Sequence, residues 1–518
     1  MSLPRSSSRT RRLDGLRRSL AALLLATVAP ACRTSHAEPE QGRPLEILVA
    51  STAATLDPRY STDAVAIRTT RLVHAGLVRL DPNTLKPIPY AAESLRFLDG
   101  RTLEVTLREL RFHGGKRLEA EDVCATLRAF KDPEVMSPHR AVVEKIDRCE
   151  AVSPRLVHIH LAGPHATLLT DLEVPILRAD EATSPPRPAG DLDGLGPYRV
   201  ARMAHGVIEL EPADGSPLPR PCHGVVVRTV RDENARALRL LAGRADIAPN
   251  AISPTLLPAL EGRSGLTVRS RPGANVTYLL AHNERGPTAR VELRRAIAMG
   301  IDRELIARTL FAAKADVART LFPPGSIAHP SDLPPMRHAP DEARKVIAEL
   351  APRPLSLLTS TDRLRLTVAR AIAQQLGELG LTVEVVPLDT GVLFQRLAAG
   401  DFDLATLQMP ELTEPHLLRW FFHSASIPLP DRPARGANRA RYANPEVDAW
   451  LDEAGSLTDQ DARAELYAKV AHRFASDVPV VPLFHEAQLA VVSERARGFE
   501  PSAEGRWLSV ATLGDCRQ

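Results

Sequence analysis

Two histidines spaced two residues apart are the clearest candidates for metal chemistry in the sequence. His158 and His160 lie in the stretch RLVHIHL (155–161), and side chains two residues apart in a β-strand point to the same face. Imidazoles that share a face can bind a transition-metal ion. Alternating histidines on an edge strand are, however, more often solvated polar surface. We therefore predict no metal site.

The sequence lacks the motifs of common catalytic and nucleotide-binding sites. It contains no G-x-S-x-G, HExxH or Walker A motif, and HGGKR (113–117) does not have the phosphate-loop spacing. Adjacent Cys222 and His223 point apart on an extended segment, and the acidic run EAED (119–122) is typical of a helix start. These observations predict a protein that is not an enzyme and has no cofactor. An exported hydrolase is the alternative from another class.

Cys32 follows a leader that is typical of exported proteins. Six arginines precede an apolar run, residues 20–31, which ends in Ala-Pro-Ala. Twelve residues are too few to cross the roughly 30 Å hydrocarbon core, and this layout is that of a secretory signal. We predict a signal peptide over residues 1–31, lipidation of Cys32 and a linker over 32–43. Ordinary cleavage without lipidation and export by the twin-arginine route remain open.

The basic charge of the chain resides in this leader. The whole chain has a net charge of +3, but the leader holds six Arg and one Asp, so that the rest carries −2. It has no basic block, and aromatic residues make up only 4% of the chain. Nucleic-acid binding requires a positive surface that neutralises phosphates. We therefore predict no nucleic-acid partner.

Four further cysteines bear on the fold. Cys124, Cys149, Cys222 and Cys516 form no CxxC pair, which argues against a zinc knuckle or a thioredoxin-like site. Cys124 and Cys149 are 25 residues apart, and a disulfide between them is compatible with an oxidising exported compartment. The sequence alone leaves open whether that bond forms.

Strands and helices alternate along the chain after the leader. The segments 101–107 and 155–161 have the period-two pattern of half-buried strands. The segments 120–130 and 232–243 place apolar residues on one helical face, and the second begins with an Asp that is typical of an N-cap. This alternation predicts a mixed α/β fold. Because the chain is longer than a single core supports, we expect two or three lobes.

A series of short segments occurs in a fixed order over nearly the whole chain after the leader. GLGPYRV (194–200) is similar to a G-T-G-P-Y signature, with Leu195 in place of Thr. The other segments are TLDPRYSTDA (55–64), HAGLVRLDP (74–82), LRELRFHGGKRLEAEDV (107–123), DENARALRLLAGRADIA (232–248), RRAIAMGIDRELI (294–306), DEARKVIAEL (341–350), DFDLA (401–405), NPEVDAWLDEA (444–454) and VPVVPLF (478–484). Together they resemble the bacterial extracellular solute-binding proteins of family 5, the dipeptide- and oligopeptide-binding components of ABC importers.

The resemblance implies a two-lobed periplasmic-binding-protein-like α/β fold of type II, with an enlarged first lobe. The ligand would bind in a cleft between the lobes and be enclosed when they close. The crossovers are expected near 265–280 and 481–492. Lobe I would then comprise 44–270 plus 488–518, and lobe II would comprise 274–485.

The resemblance also implies the site residues. QMPELTEP (408–415) corresponds to a W-x-A-D-Y-x-D-P stretch whose first Asp binds the amino group of a peptide. Glu411 takes the position of that Asp, Glu414 precedes Pro415 in place of the second Asp, and the Trp and Tyr of the pattern are lost. We expect ligand contacts from Glu411, Glu414 and Met409, and from Asn275 and Tyr278 in the first crossover.

The predicted function is capture of a peptide or a related small polar ligand for an ABC importer. The partners would be the permease and ATPase subunits, and the protein would act as a monomer in the periplasm or cell envelope, held to the membrane by its lipid anchor. Two alternatives are a receptor for a nickel chelate or a sugar, and a sensory lipoprotein without transport coupling.

Overall fold

The computed structural model describes residues 43–429 and 436–514. The predicted signal peptide and Cys32 therefore lie outside the described residues. The chain divides into two units, residues 1–43 and 44–518, and every element named here belongs to the second. Within the described ranges, no helix has both the length and the apolar character needed to cross a bilayer.

The strands of the described residues alternate with helices along the chain. In chain order they are β1 (Leu45–Val49), β2 (Val78–Leu80), β3 (Pro87–Pro89), β4 (Ala92–Asp99), β5 (Thr102–Leu107), β6 (Ile146–Ser153), β7 (Leu156–Leu161), β8 (Tyr198–Ala204), β9 (Val207–Pro212), β10 (Val225–Thr229), β11 (Ile247–Pro249), β12 (Leu266–Arg271), β13 (Val276–Ala281), β14 (Ala315–Val317), β15 (Leu355–Ser360), β16 (Val383–Leu388), β17 (Leu404–Met409), β18 (Val480–Glu486) and β19 (Gln488–Ser493).

The α-helices are α1 (Ala64–Val73), α2 (Ala120–Lys131), α3 (Arg140–Val143), α4 (Leu168–Asp171), α5 (Glu233–Leu241), α6 (Val291–Gly300), α7 (Arg303–Leu310), α8 (Pro340–Leu350), α9 (Arg363–Glu378), α10 (Thr390–Ala399), α11 (Leu417–Phe422), α12 (Pro445–Ala454) and α13 (Gln460–Asp477). Many begin at an acidic N-cap. Asp232, for example, accepts a hydrogen bond from the backbone of Ala235 at the start of α5, which satisfies one free N–H of the first turn.

A seven-stranded sheet forms the centre of the first half of the fold. Its strand order is β12-β19-β11-β1-β10-β9-β8, with β1 parallel to β10 and β11. All five residues of β1 are buried, because Leu45 and Ile47 pack in the core on one face and Leu48 in the core on the other. A strand covered on both faces has an apolar run rather than an alternating pattern.

A four-stranded antiparallel sheet, in the order β4-β5-β7-β6, enlarges this first lobe. One face packs on α2 through Leu103, Val105, Val157 and Ile159, all of them fully buried. A disulfide between Cys124 and Cys149 joins α2 to β6. The opposite face is polar, as the period-two pattern predicts.

The second lobe is built on a six-stranded sheet in the order β14-β18-β13-β17-β15-β16. Two apolar cores cover its faces, one containing Tyr278 and Met409 and the other Leu279 and Leu357. The chain enters this sheet between Arg271 and Val276 and leaves it between Glu486 and Gln488. The two-lobed α/β fold is therefore confirmed. The lobe limits remain a proposal, with 44–270 plus 488–518 in lobe I and 274–485 in lobe II.

Candidate ligand-binding site

A cavity of about 820 Å³, lined by both charged and apolar residues, lies between the two lobes, beside the crossovers. We call it the interlobe cavity. Lobe I contributes Arg68 and residues 250–255, lobe II contributes residues 362–365 and Gln408, and the second crossover contributes residues 486–489. The cavity lies between two lobes that are joined by two short crossovers. In such folds, closure of the lobes encloses a ligand at this place.

Asn275 ties the two crossovers together. Its Nδ2 donates to the backbone oxygen of Glu486 at 2.7 Å, and its Oδ1 accepts from the backbone N–H of Glu486 at 2.8 Å. The Glu486 carboxylate in turn accepts hydrogen bonds from Arg365 and Thr277. Asn275 thus lines the interlobe cavity, but the polar atoms of its side chain hold the two crossovers side by side.

Glu411 lies on the loop after β17, directly behind Pro410, which lines the interlobe cavity. Its carboxylate faces lobe I, where Oε2 is 3.5 Å from Arg71 Nη1 and 3.6 Å from Arg506 Nη2. Burial raises the pKa of this carboxyl, but Arg71, Arg506 and Arg68 outweigh burial and hold the pKa below its ordinary value. Glu411 is therefore an anion at neutral pH.

Both arginine contacts of Glu411 are longer than a charge-assisted hydrogen bond, which measures about 2.7–2.9 Å. Arg71 Nη1, although buried, has no hydrogen-bond partner among the described residues. The side chain of Glu411 is also 23% exposed. The arginines thus balance the negative charge of the carboxylate without hydrogen bonding closely to it. The carboxylate can still accept hydrogen bonds from a closer donor.

Arg68 lies on α1, three residues before Arg71, and lines the interlobe cavity. Its guanidinium carbon lies 6.0 Å from the centre of the Trp507 ring, a cation–π contact. Its buried Nε has no hydrogen-bond partner among the described residues. Burial lowers the pKa of Arg68, against the opposing effects of Glu411 and Glu504. Arg68 is therefore a cation that lines the cavity and is attracted by Glu411, but it forms no close ion pair with a carboxylate of the described residues.

A smaller cavity of about 260 Å³ opens beside these groups within lobe I, and we call it the side cavity. Arg71, Glu173, Glu504, Arg506 and Trp507 are among the residues that line it. Arg506 Nη2 donates to Glu173 at 2.8 Å, whereas Glu504 Oε2, Arg506 Nε and Trp507 Nε1 are buried without a hydrogen-bond partner among the described residues. Buried polar atoms without partners are costly, and these atoms offer contacts to a polar group.

The remaining predicted site residues lie elsewhere in lobe II. Tyr278 and Met409 are only 3% and 4% exposed and pack in an apolar core. Burial raises the pKa of the Tyr278 phenol. Glu414 is paired with Arg463 of α13, and burial raises its pKa against the opposing effect of that arginine. The structure thus brings Glu411 and Asn275 to the interlobe surface and places the other three away from the interlobe cavity.

Sequence reasoning did not find the arginines opposite Glu411. The spacing of Arg68 and Arg71 on one face of α1 was a weak local signal, because residues three apart are neighbours on a helix. Arg506 and Trp507 lie more than 400 residues farther along the chain. Only the position of β19, between β12 and β11 in the sheet, brings the segment after it back to lobe I.

Most of the chain matches the model of a known protein family. The model for bacterial extracellular solute-binding proteins, family 5 (middle region), matches residues 86–425. The chain belongs to this family. The resemblance inferred from the short segments is thereby confirmed, and solute binding is the activity to which the interlobe cavity must be related.

Similar proteins cover most of the chain at low identity. The probable D,D-dipeptide-binding periplasmic protein DdpA of Escherichia coli K12 is 26% identical over 313 residues, which are 59% of this chain and 59% of that protein. The glutathione-binding protein GsiB of Pectobacterium atrosepticum is 25% identical over 88% of this chain and 90% of its own length. The structure of the oligopeptide-binding protein AppA of Bacillus subtilis, in complex with a nonapeptide, has a TM-score of 0.79 at 21% identity, and the match covers 92% of this chain and 100% of AppA. This structural likeness supports the fold and does not identify a ligand.

Proposed function

We propose that this chain is the exported solute-binding protein of an ABC importer and that it captures a small peptide or a related zwitterion between its lobes. The observation that carries the proposal is the presence of two incompletely satisfied charges, Arg68 in the lining of the interlobe cavity and Glu411 next to Pro410 of that lining. Glu411 of lobe II keeps the capacity to accept hydrogen bonds, and Arg68 of lobe I forms no close ion pair with a carboxylate of the described residues, although Glu411 attracts it. A ligand with one ammonium group and one carboxylate satisfies both.

The chemistry of capture follows from these two residues. The ligand's ammonium group donates to Glu411, and its carboxylate accepts hydrogen bonds from Arg68, whose planar guanidinium suits a carboxylate. Each charge comes from a different lobe, so the ligand links the lobes and favours closure. Closure removes water, and an ion pair is stronger in the lower effective dielectric that results.

The size of the interlobe cavity favours a small ligand. Its volume of about 820 Å³ lies within the range of about 300–1,000 Å³ that is typical of small-molecule sites. The side cavity, with its unpartnered Glu504 and Trp507 atoms, is lined by Arg71, one of the two arginines that approach Glu411. Two relatives bear names that specify a D,D-dipeptide and glutathione, and both names accord with a small peptide-like ligand.

In this proposal the chain binds and releases its ligand without a catalytic step. The energy for transport comes from a separate ATPase, and the permease accepts the ligand. Lipidation at Cys32 keeps the receptor beside the permease, because two or three acyl chains anchor a protein stably. We expect Cys32→Ala to move the protein into the soluble fraction, whereas an unmodified N-terminal Cys32 in the intact mass of the wild type would contradict lipidation.

A library of free dipeptides and tripeptides tests the proposed function. Members that raise the melting temperature are titrated by calorimetry, together with N-acetylated and C-amidated forms of the same peptide. We expect the free peptide to bind and each blocked form to bind at least tenfold more weakly, because each loses one of the two charges. If no library member binds, and native mass spectrometry of the purified protein shows no peptide, the peptide ligand is wrong.

A further inference from the structure

The polar face of the four-stranded sheet brings two histidines and two glutamates together. His158 and His160 lie on β7, which runs between β5 and β6. Glu104 on β5 and Glu150 on β6 are both register partners of His158. Residues directly opposite each other in neighbouring strands have Cβ atoms about 4.5–5.5 Å apart. The four side chains therefore form a single group on one face of lobe I.

The distances within this group show two His–Glu pairs and three ligand atoms that lie near one another. His158 Nε2 is 3.3 Å from Glu104 Oε2, and His160 Nε2 is 3.3 Å from Glu150 Oε2. One ligand atom each from Glu150, His158 and His160 lies within 4.8 Å of the others. The ligand atoms of a tetrahedral zinc site, with bonds of about 2.0–2.1 Å, lie about 3.3 Å apart. Side-chain rotations must therefore bring these three atoms closer together for them to share one ion.

The surrounding structure holds these ligands in place. Glu150 follows Cys149, and the Cys124–Cys149 disulfide attaches that point of β6 to α2. Thr102 Oγ1 lies 3.4 Å from Nδ1 of His160. A partner on the second ring nitrogen of a metal-binding histidine fixes its tautomer and orientation. The strands, the disulfide and this hydroxyl thus pre-position a donor set of imidazoles and carboxylates.

Two arginines compete with an ion for the glutamates. Arg96 donates to Glu104 at 2.6 Å, and Arg148 lies 3.5 Å from Glu150. Their side chains are 71% and 60% exposed, and such exposed ion pairs contribute little to stability. Either arginine can therefore swing into solvent when a divalent ion takes its place.

We propose that His158, His160 and Glu150, with Glu104 as fourth ligand, bind one divalent transition-metal ion on lobe I, outside the interlobe cavity. Two imidazoles and two carboxylates suit Zn²⁺, and the same donors bind Ni²⁺ and Cu²⁺. The ion takes the place of the Arg96 and Arg148 charges and links β5, β6 and β7. This site does not depend on the proposed capture of a peptide.

Calorimetric titration of the full mature chain with ZnCl₂, after chelator treatment and without an affinity tag, tests the site. We expect one saturable site in the wild type. The double variant His158→Asn/His160→Asn should bind at least tenfold more weakly, and Glu150→Gln should also weaken binding. His472→Asn is the matched control, because His472 is a half-exposed histidine of lobe II that lies 3.2 Å from Asp332.

Melting temperatures measured in chelator separate lost binding from lost folding, and they should agree between the double variant and the wild type within a few degrees. X-ray absorption at the zinc edge should show nitrogen and oxygen neighbours at about 2.0–2.1 Å. Absence of a saturable site in the wild type, or equal affinity in the double variant, would overturn the proposal. If Glu150→Gln lowers the melting temperature in chelator, its weaker zinc binding no longer tests the role of Glu150 as a ligand. The X-ray absorption spectrum of the wild type then decides whether the proposed nitrogen and oxygen ligands bind the ion.

Discussion

At the scale of single residues, Glu411 is a carboxylate that faces two arginines without a close hydrogen bond to either of them. Its place after β17 followed from the alignment of QMPELTEP with a known pattern. The two arginines that face it come from α1 and from the C-terminal segment, and no local pattern connects those segments. The sequence could therefore propose a carboxylate after β17 as a ligand contact, but it could not reveal that arginines already balance this carboxylate.

Replacement of Glu411 by Gln should weaken binding of a free dipeptide identified in the library. The variant removes the charge that accepts the ligand's ammonium group and keeps nearly the same volume. Loss of one partner from a desolvated pair costs about 2–5 kcal/mol, so the dissociation constant measured by calorimetry should rise at least about 30-fold. Glu411→Asp should retain part of the affinity.

Glu453→Gln is the control for Glu411→Gln, because Glu453 is an exposed glutamate of α12 on the same lobe. It should bind like the wild type. If Glu411→Gln binds with unchanged affinity and melts at an unchanged temperature, Glu411 serves only as a partner of Arg71 and Arg506, and the ligand's ammonium group binds elsewhere.

Arg68→Gln should remove discrimination between a free and a C-amidated dipeptide. In the wild type the free peptide binds more tightly, because Arg68 pairs with its carboxylate. In the variant the two forms should bind within about twofold of each other, since a thermodynamic cycle isolates the contribution of that pair. Arg337→Gln, a change at an exposed arginine of lobe II, should leave discrimination intact. Persistent discrimination in Arg68→Gln would place the carboxylate at another cation.

At the scale of elements, local pattern predicted much of the structure. The period-two segments became β5 and β7, and the apolar stripe of 120–130 became α2. These predictions succeeded because burial on one face imposes a period that is visible in the sequence. Tyr278 and Met409 show the limit of prediction from local sequence pattern. Both were expected at the ligand, but both β13 and β17 lie inside the six-stranded sheet with a core on each face, and their position there depends on sheet order.

The disulfide between α2 and β6 should contribute measurably to the stability of lobe I. It closes a loop of 25 residues, and loops of this size are expected to stabilise a fold by about 3 kcal/mol through restriction of the unfolded chain. The double variant Cys124→Ala/Cys149→Ala should therefore lose about that free energy in denaturant unfolding. An equally stable double variant would show that the helix and sheet hold together without the bond.

At the scale of the whole molecule, several histidines are buried as neutral side chains. Burial lowers the pKa of His74 and of His416 to about 3 in each case, and that of His282 to about 4. His74 and His282 are at most 2% exposed. They belong to different lobes, so acid acts on both halves of the fold.

Stability should consequently fall as the pH drops below about 6.5, the ordinary pKa of histidine. Below that value the unfolded chain binds protons that the folded chain cannot bind until the pH approaches 3 to 4, and stability therefore rises with pH in this window. Each such histidine contributes a slope of up to about 1.4 kcal/mol per pH unit.

Denaturant unfolding at pH 7.5, 5.5 and 4.5 should show His74→Leu losing less stability on acidification than the wild type, by about 1 kcal/mol at pH 5.5. His472→Leu, a change at a half-exposed histidine, should follow the wild-type curve. Parallel curves for His74→Leu and the wild type would mean that His74 takes up a proton in the folded state.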